Sequence, residues 1–222
     1  MPLVSRPAAA VFDLDGTIVD NMALHAEAFA AFARHHGLPP LTPADRASLD
    51  GRRNSEIFPV LFGRDMAREE WLAYEHEKEA LYRHVSRGRL TPVAGIGALL
   101  ARLAADGVAV ALATSAPEPN VAHTLSETDL TSAFPIVVRG DQVPQGKPAP
   151  DVFLEAARQL RVAPASCVVF EDAPMGIVAA QAAGMRVVAL TTTFSAAFFA
   201  ALPAPPDVVC PTFDAFLSLV RW

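Results

Sequence analysis

Ala8-Ala9-Ala10-Val11-Phe12-Asp13-Leu14-Asp15-Gly16-Thr17 sets an unbroken apolar run, Ala8 to Phe12, directly against two carboxylates and a glycine. The run reads as a buried strand, and Gly16 turns the chain out of it. Asp is a poor strand residue, so two of them at the end of such a run need a reason. If the extended geometry persists through Asp15, positions 13 and 15 point to the same side. Two anions held that close raise each other's pKa unless a cation sits between them. One reading is a divalent-metal site at the carboxyl end of a sheet, where open α/β folds place their chemistry. The plain alternative is an Asp-rich turn that caps a helix.

Outward from this stretch the pattern is first helical and then alternating. Met22 to His36 carries apolar positions at helical spacing and stops at Gly37. Thr42-Pro43 has the form of an N-cap followed by Pro in the first turn. Ser55 to Phe62 is a short apolar-faced helix, and Met66 to Val85 is a long charged one. Asp20 and Asn21 precede this block as a hinge and N-cap. After Gly88 strands alternate with helices. The strands are Val108–Ala113, Pro135–Val138, Cys167–Phe170, Val187–Leu190 and Val208-Val209; the helices are Ile96–Ala105, Val121–Leu130, Ala149–Leu160, Ile177–Ala183 and Phe213–Val220. Strands buried on both faces between helices mean a mostly parallel sheet covered on both sides, an α/β fold. The division expected is a core of residues 1–17 and 91–222, with residues 18–90 as a helical insertion that leaves and returns at the carboxyl end of the sheet. An insertion at that place acts as a lid.

The ends of the strands then converge on one chemistry. The first delivers Asp13 and Asp15, the next Thr114 and Ser115, and CVVFED delivers Glu171 and Asp172. The proline-stiffened loop Gln145 to Asp151 delivers Lys147. In an open α/β sheet these ends lie along one crevice. Phosphoryl transfer needs this set: a carboxylate nucleophile, cations to meet the negative group, and a second carboxyl to protonate the leaving oxygen and then activate water. Mg²⁺ is the expected cofactor, because a carboxylate nucleophile needs neighbouring charge cancelled.

FDLDGTIVD at residues 12–20, AVALATS at 109–115, GKPAPD at 146–151 and CVVFED at 167–172 resemble, in order, the motifs of the haloacid dehalogenase-like phosphohydrolases. The resemblance is to the branch with β-phosphoglucomutase and many sugar-phosphate phosphatases, and runs from Val11 to about Leu190. It implies a doubly wound, Rossmann-like parallel sheet with a small α-helical cap inserted after the first strand. It implies Asp13 as nucleophile and Asp15 as general acid and base, with the Asp15 main-chain carbonyl linked to the metal. Thr114 and the Ser115 backbone would bind the phosphoryl group, and Lys147 would hold nucleophile and phosphate together. Asp172 and Glu171 would bind Mg²⁺. The cap motif Gly51-Arg52-Arg53-Asn54 would contact substrate, Arg52 and Arg53 being candidates for a second anionic group or for a solvated basic turn. His25 and Lys78 resemble, in position, a histidine and a lysine tied to gating in the mutase. Each has a plain reading as well, His25 as a packed or solvated helix residue and Lys78 as a surface partner of Glu75 or Glu79. Asn54 stands where the mutase has arginine. Asp15 separates the chain from the metal-free dehalogenases and points to phosphate esters.

The expectation is Mg²⁺-dependent hydrolysis of a small phosphorylated metabolite through an aspartyl-phosphate. A phosphomutase is the alternative, and a non-catalytic phosphate-metabolite-binding protein a third reading. Composition agrees: of 222 residues, 52% are hydrophobic and 19% charged, which excludes a disordered chain. A net charge of −6 argues against nucleic acid as a partner. No stretch approaches the ~20 apolar residues of a membrane helix. The start, MPLVSRPAAAVFDL, lacks a signal-peptide pattern. Cys167 and Cys210 lie in or beside apolar runs and read as buried thiols of a cytoplasmic protein. A monomer or weak dimer is expected. His35, His36 and His76 have no partners at metal-ligand spacing in the sequence and read as surface residues.

Overall fold

The computed structural model describes residues 6–220, so the first residues of the N-terminal segment read above lie outside the described ones. Six strands form one sheet: β1 (Ala9–Phe12), β2 (Ala109–Thr114), β3 (Val137–Arg139), β4 (Cys167–Glu171), β5 (Arg186–Leu190) and β6 (Val208–Cys210). All pairings are parallel, and the spatial order is β3-β2-β1-β4-β5-β6. The expected doubly wound sheet is therefore present. Its strand order reverses between β1 and β4, and crevices form at such a switch point beyond the carboxyl ends.

Alternation along β1 sends Ala10 and Phe12 to one face and Ala9 and Val11 to the other. Phe12 stacks on Phe170 with ring centroids 4.7 Å apart, and the layer is closed by α5 (Ile96–Ala105) and α10 (Phe213–Leu219). The opposite layer packs under α7 (Asp151–Leu160) and α8 (Pro174–Ala182). A sheet buried on both sides explains why its strands read as continuous apolar runs.

Between β1 and α5 stand four helices: α1 (Met22–His35), α2 (Pro43–Leu49), α3 (Asn54–Phe62) and α4 (Arg68–Ser86). Thr42 caps α2 in a full capping box with Asp45. Asn21 precedes α1 without a side-chain cap; its amide is used elsewhere, as described below. α6 (Glu118–Glu127) begins three residues before the apolar pattern does, because proline is tolerated in a first turn. A short helix that the sequence pattern did not indicate, α9 (Ala196–Ala200), follows β5, with Ser195 capping it. The two cysteines are buried and free. No helix among the described residues is long and apolar enough to cross a membrane.

Candidate active site

Parallel pairing puts Phe12 level with Phe170 and with Leu112, so the residues just beyond those strands meet. β1 stops at Phe12, and the Asp13 amide still donates to the Phe170 carbonyl at 3.0 Å. Lys147 Nζ reaches this point from the loop before α7. It donates to Asp13 Oδ1 at 2.5 Å, to Glu171 Oε1 at 2.7 Å and to the Ala113 carbonyl at 3.3 Å. The other Glu171 oxygen accepts from the amides of Asp172 (2.9 Å) and Ala173 (3.0 Å). Asp172 accepts from Thr17 at 3.0 Å and from Thr193 at 2.5 Å. Asp13, Glu171 and Asp172 each present a carboxylate oxygen within 4.8 Å of the others.

Three buried carboxylates lie together here, and the one ammonium among them pairs with two, Asp13 and Glu171. Burial therefore pushes Asp13 up to about 8, with the Glu171 and Asp15 charges adding to it and Lys147 opposing. Asp172 is also raised, by burial first and then by Glu171 and Asp13. Burial disfavours the charged Lys147 as well, but Asp13 and Glu171 outweigh it and hold the ammonium above the ordinary lysine range. Such a donor set is short of positive charge and consists of hard oxygens, which fits Mg²⁺.

Asp15 lies apart from this cluster. Its Oδ1 accepts from the Asn21 amide at 2.6 Å and faces His25 Nε2 at 3.4 Å. Burial opposes its ionisation, but the His25 charge, the Asn21 bond and Lys78 hold it below the ordinary range. Asn21 also accepts from the Gly16 amide at 2.9 Å and donates to Tyr82 at 2.6 Å, which is why it does not cap α1. His25 stacks on Tyr82 at 3.8 Å, and its Nδ1 lies 3.2 Å from Lys78 Nζ. His25 Nε2 is buried and has no hydrogen-bond partner, since the Asp15 contact is out of line.

A pocket of about 80 Å³ lies over the cluster. Of the residues expected from sequence, Asp13, Asp15, His25, Gly51, Arg52, Asn54, Lys78, Thr114, Ser115 and Asp172 line it. Lys147 and Glu171 are not among its lining; Lys147 bonds both Asp13, which is, and Glu171. Arg53 does not line it. Its guanidinium donates to the carbonyls of Gly140 (3.3 Å) and Val143 (3.4 Å) and pairs with Glu56 at 2.8 Å. The loops around Gly140 and Gly146 leave room for that arm, and carbonyls consume its donors. Ser115 Oγ donates to the Gly51 carbonyl at 2.6 Å, tying the core to the cap motif. His35 and His36 are not isolated either: His36 pairs with Glu77 at 3.0 Å and packs among Phe32, Phe62 and Tyr74.

Several functional neighbours were not singled out from sequence. Glu79 is 4% exposed and accepts from Lys78 (2.9 Å), Asn54 (2.7 Å) and Asn120 (2.6 Å), joining α4, α3 and α6. The spacing 78, 79, 82, 86 is one helix face, and that face is the buried one. Thr17, Thr193, Tyr82 and Asn120 complete the polar walls.

Two glycines exist for close approach. A Cβ on Gly16, whose φ is +78°, would overlap the Asp172 carboxylate, and one on Gly176 would overlap that of Glu171. Gly176→Ala should therefore displace Glu171 from Lys147, lowering stability by about 1–3 kcal/mol as overpacking does. Urea unfolding should show that loss; a wild-type midpoint would mean that Glu171 has room to move.

A profile of the haloacid dehalogenase-like hydrolases matches residues 10–190. The chain is 30% identical over 178 residues to a phosphorylated carbohydrates phosphatase of Thermotoga maritima, covering 80% of this chain and 82% of the relative. It is 33% identical over 187 residues to the beta-phosphoglucomutase of Bacillus subtilis, covering 81% of each. The crystal structure of a HAD hydrolase, family IA, variant 3, from Entamoeba histolytica superposes with a TM-score of 0.83 at 26% identity, over 95% of this chain and 98% of that one. With the family's sheet, its motifs at the strand ends and a profile that spans most of its length, this chain belongs to the haloacid dehalogenase-like hydrolases.

Proposed function

We propose that the protein is a Mg²⁺-dependent phosphatase of small phosphate monoesters, sugar phosphates among them, acting through an aspartyl-phosphate on Asp13. The observation that carries the reading is the buried cluster of Asp13, Glu171 and Asp172, the first two paired with Lys147, beside a small pocket. The carbohydrate phosphatase relative supports the substrate class.

Asp13, Glu171 and Asp172 are the residues that would hold Mg²⁺. Bound there, the ion supplies positive charge to the carboxylates and to the incoming phosphoryl group. Asp13 attacks phosphorus; an Asp13–phosphorus bond forms and the ester bond breaks. Lys147 keeps the Asp13 carboxylate in place for that attack. The leaving oxygen takes a proton from Asp15 in its protonated form; the Asn21 amide engages Oδ1, so Oδ2 is the oxygen that carries the proton. Asp15, held ionised in the present arrangement, is the base that takes a proton from water. The water oxygen then attacks phosphorus and frees Asp13. Thr114 and Ser115 border the phosphoryl position, and His25, whose Nε2 faces Asp15 Oδ1 at 3.4 Å, lines the same pocket. Residues 18–90 serve as the lid. The chain would work in the cytoplasm, as a monomer or weak dimer.

The mutase reading has the Bacillus subtilis relative and the His25–Lys78 pair in its favour. A mutase must also hold a second phosphate. Here Lys78 is paired with Glu79, Arg46 with Asp50, and Arg53 with Glu56. Arg52 lines the pocket with its Nε bonded to the Ser48 carbonyl at 2.8 Å, and Asn54 stands in the pocket where the mutase has arginine, so we favour hydrolysis. Purified protein with Mg²⁺, β-glucose 1-phosphate and a trace of the 1,6-bisphosphate decides between them. Free phosphate from this and other monoesters supports the phosphatase, and stoichiometric glucose 6-phosphate overturns it.

The metal makes a prediction that needs no turnover. Asp13 titrates at about 8 in the metal-free fold against an ordinary 3.8. The native state thus keeps a proton that the unfolded chain has lost, and this contribution fades as pH rises through the folded value. Asp172 acts in the same direction. In EDTA the melting temperature should fall between pH 3.8 and about 8, and Mg²⁺ should restore most at the upper end. A metal-free profile that rises with pH across that window would contradict it.

A further inference from the structure

Beside the active-site pocket lies a second and larger hollow, of about 640 Å³. One wall is a face of α1 with Ala23, Ala26 and Ala30 exposed along it. The other wall is core: the loop Thr192–Phe194 after β5, where Phe194 is held by stacking on Phe198 at 4.6 Å. Leu38, Leu41 and Leu61 close the far end.

Two features tie this hollow to the site. Met22, Phe29, Arg46 and Asp50 line both cavities, so the two adjoin along these side chains. Phe29 carries the Lys78 ammonium 4.2 Å from its ring centroid, so this shared ring touches a lysine of the active-site pocket. The opposite flank of the cap is shut. There α4 is bonded to α6 through Glu79–Asn120 (2.6 Å), Arg83–Asn120 (2.8 Å) and Ser86–His123 (2.8 Å). Cap and core are sealed on the α4 flank and open on the α1 flank.

A leaving group that outgrows the pocket meets the α1 hollow along the side chains that line both cavities. Its walls define what fits. Alanine, leucine and phenylalanine side chains dominate; the Arg46–Asp50 pair at the border is internally neutral, with Arg46 Nε bonded to both Asp50 oxygens at 2.9 and 3.0 Å, and the remaining charged group, Asp20, disfavours an anionic tail. We propose that this hollow is a binding site for the distal, apolar part of the leaving group. The preferred substrates would be phosphate monoesters that carry an uncharged apolar substituent beyond the first few atoms. The proposal rests on the phosphatase reading for its phosphate end.

A series of straight-chain alkyl phosphates from ethyl to octyl tests it, with Mg²⁺ present. Once the chain outgrows the pocket, kcat/KM should rise by about fourfold per added methylene, through KM. Ala30→Trp, a change at an exposed α1 position, should flatten that rise and leave ethyl phosphate unaltered. Equilibrium binding of the matching alkyl phosphonates to the Mg²⁺-loaded protein reads the same trend without turnover. A flat series, or a rise that Ala30→Trp does not touch, overturns the apolar site. Absence of hydrolysis across the series with chain-dependent phosphonate binding retained would instead refute the phosphatase reading and keep the site.

Discussion

Asp13→Asn is expected to lower kcat by about 10⁴-fold or more on any monoester the enzyme accepts, because removal of a covalent nucleophile has effects of that order. The substitution keeps size and shape, and an amide carries no charge to desolvate. The protein should therefore fold, and in EDTA at pH 8 it should melt no lower than wild type, since burial opposes the Asp13 charge in the metal-free fold. Stopped assays for kcat, with thermal melts on the same samples, check both halves. Wild-type turnover in Asp13→Asn would remove the covalent mechanism. Lost turnover with a collapsed fold would place Asp13's role in structure.

Lys147→Met should be the most destabilising change at the site. The ammonium is 1% exposed and is the cation shared by Asp13 and Glu171. Removing it strands two buried carboxylates, and breaking a buried pair from one side costs about 3–5 kcal/mol. Urea unfolding at pH 8 in EDTA should show that loss. It should shrink when Mg²⁺ is added, because the ion offers the same carboxylates another cation, and also in Lys147→Met combined with Glu171→Gln. Turnover should be lost in both variants, since the nucleophile is then unheld. A single variant as stable as wild type would mean that water reaches the cluster and that its burial is overstated.

Much of this was legible before any coordinates. Asp13, Thr114, Glu171 and Asp172 were found because each follows an apolar run, and a parallel sheet brings such ends together whatever the loops do. Lys147 was found from its loop and from the family motif. What stayed hidden depends on how separate elements approach. Arg53 reads either as a substrate arginine or as part of a solvated basic turn, yet its donors are taken by carbonyls of a loop some 90 residues away, which no local pattern reports. Glu79 reads as one of two surface partners for Lys78; the pair does form, but its burial follows only from α4 lying against α6. Asn21 has the residue type and place of an N-cap, but a loop amide and Asp15 compete for its side chain and win. The α1 hollow was invisible for the same reason. Exposed alanines fit any surface helix, and their meaning comes from the facing Thr192–Phe194 loop.

The central claim is that Asp13 carries the phosphoryl group, and the direct measurement is to trap it there. Asp15→Asn should slow the water step, so that acid quenching after mixing with a good monoester and Mg²⁺ leaves an acyl phosphate on the protein. Borohydride reduction of that species followed by peptide mass spectrometry should convert residue 13, and no other aspartate, to homoserine. Conversion at another carboxylate, or none while phosphate is still released, would contradict the account.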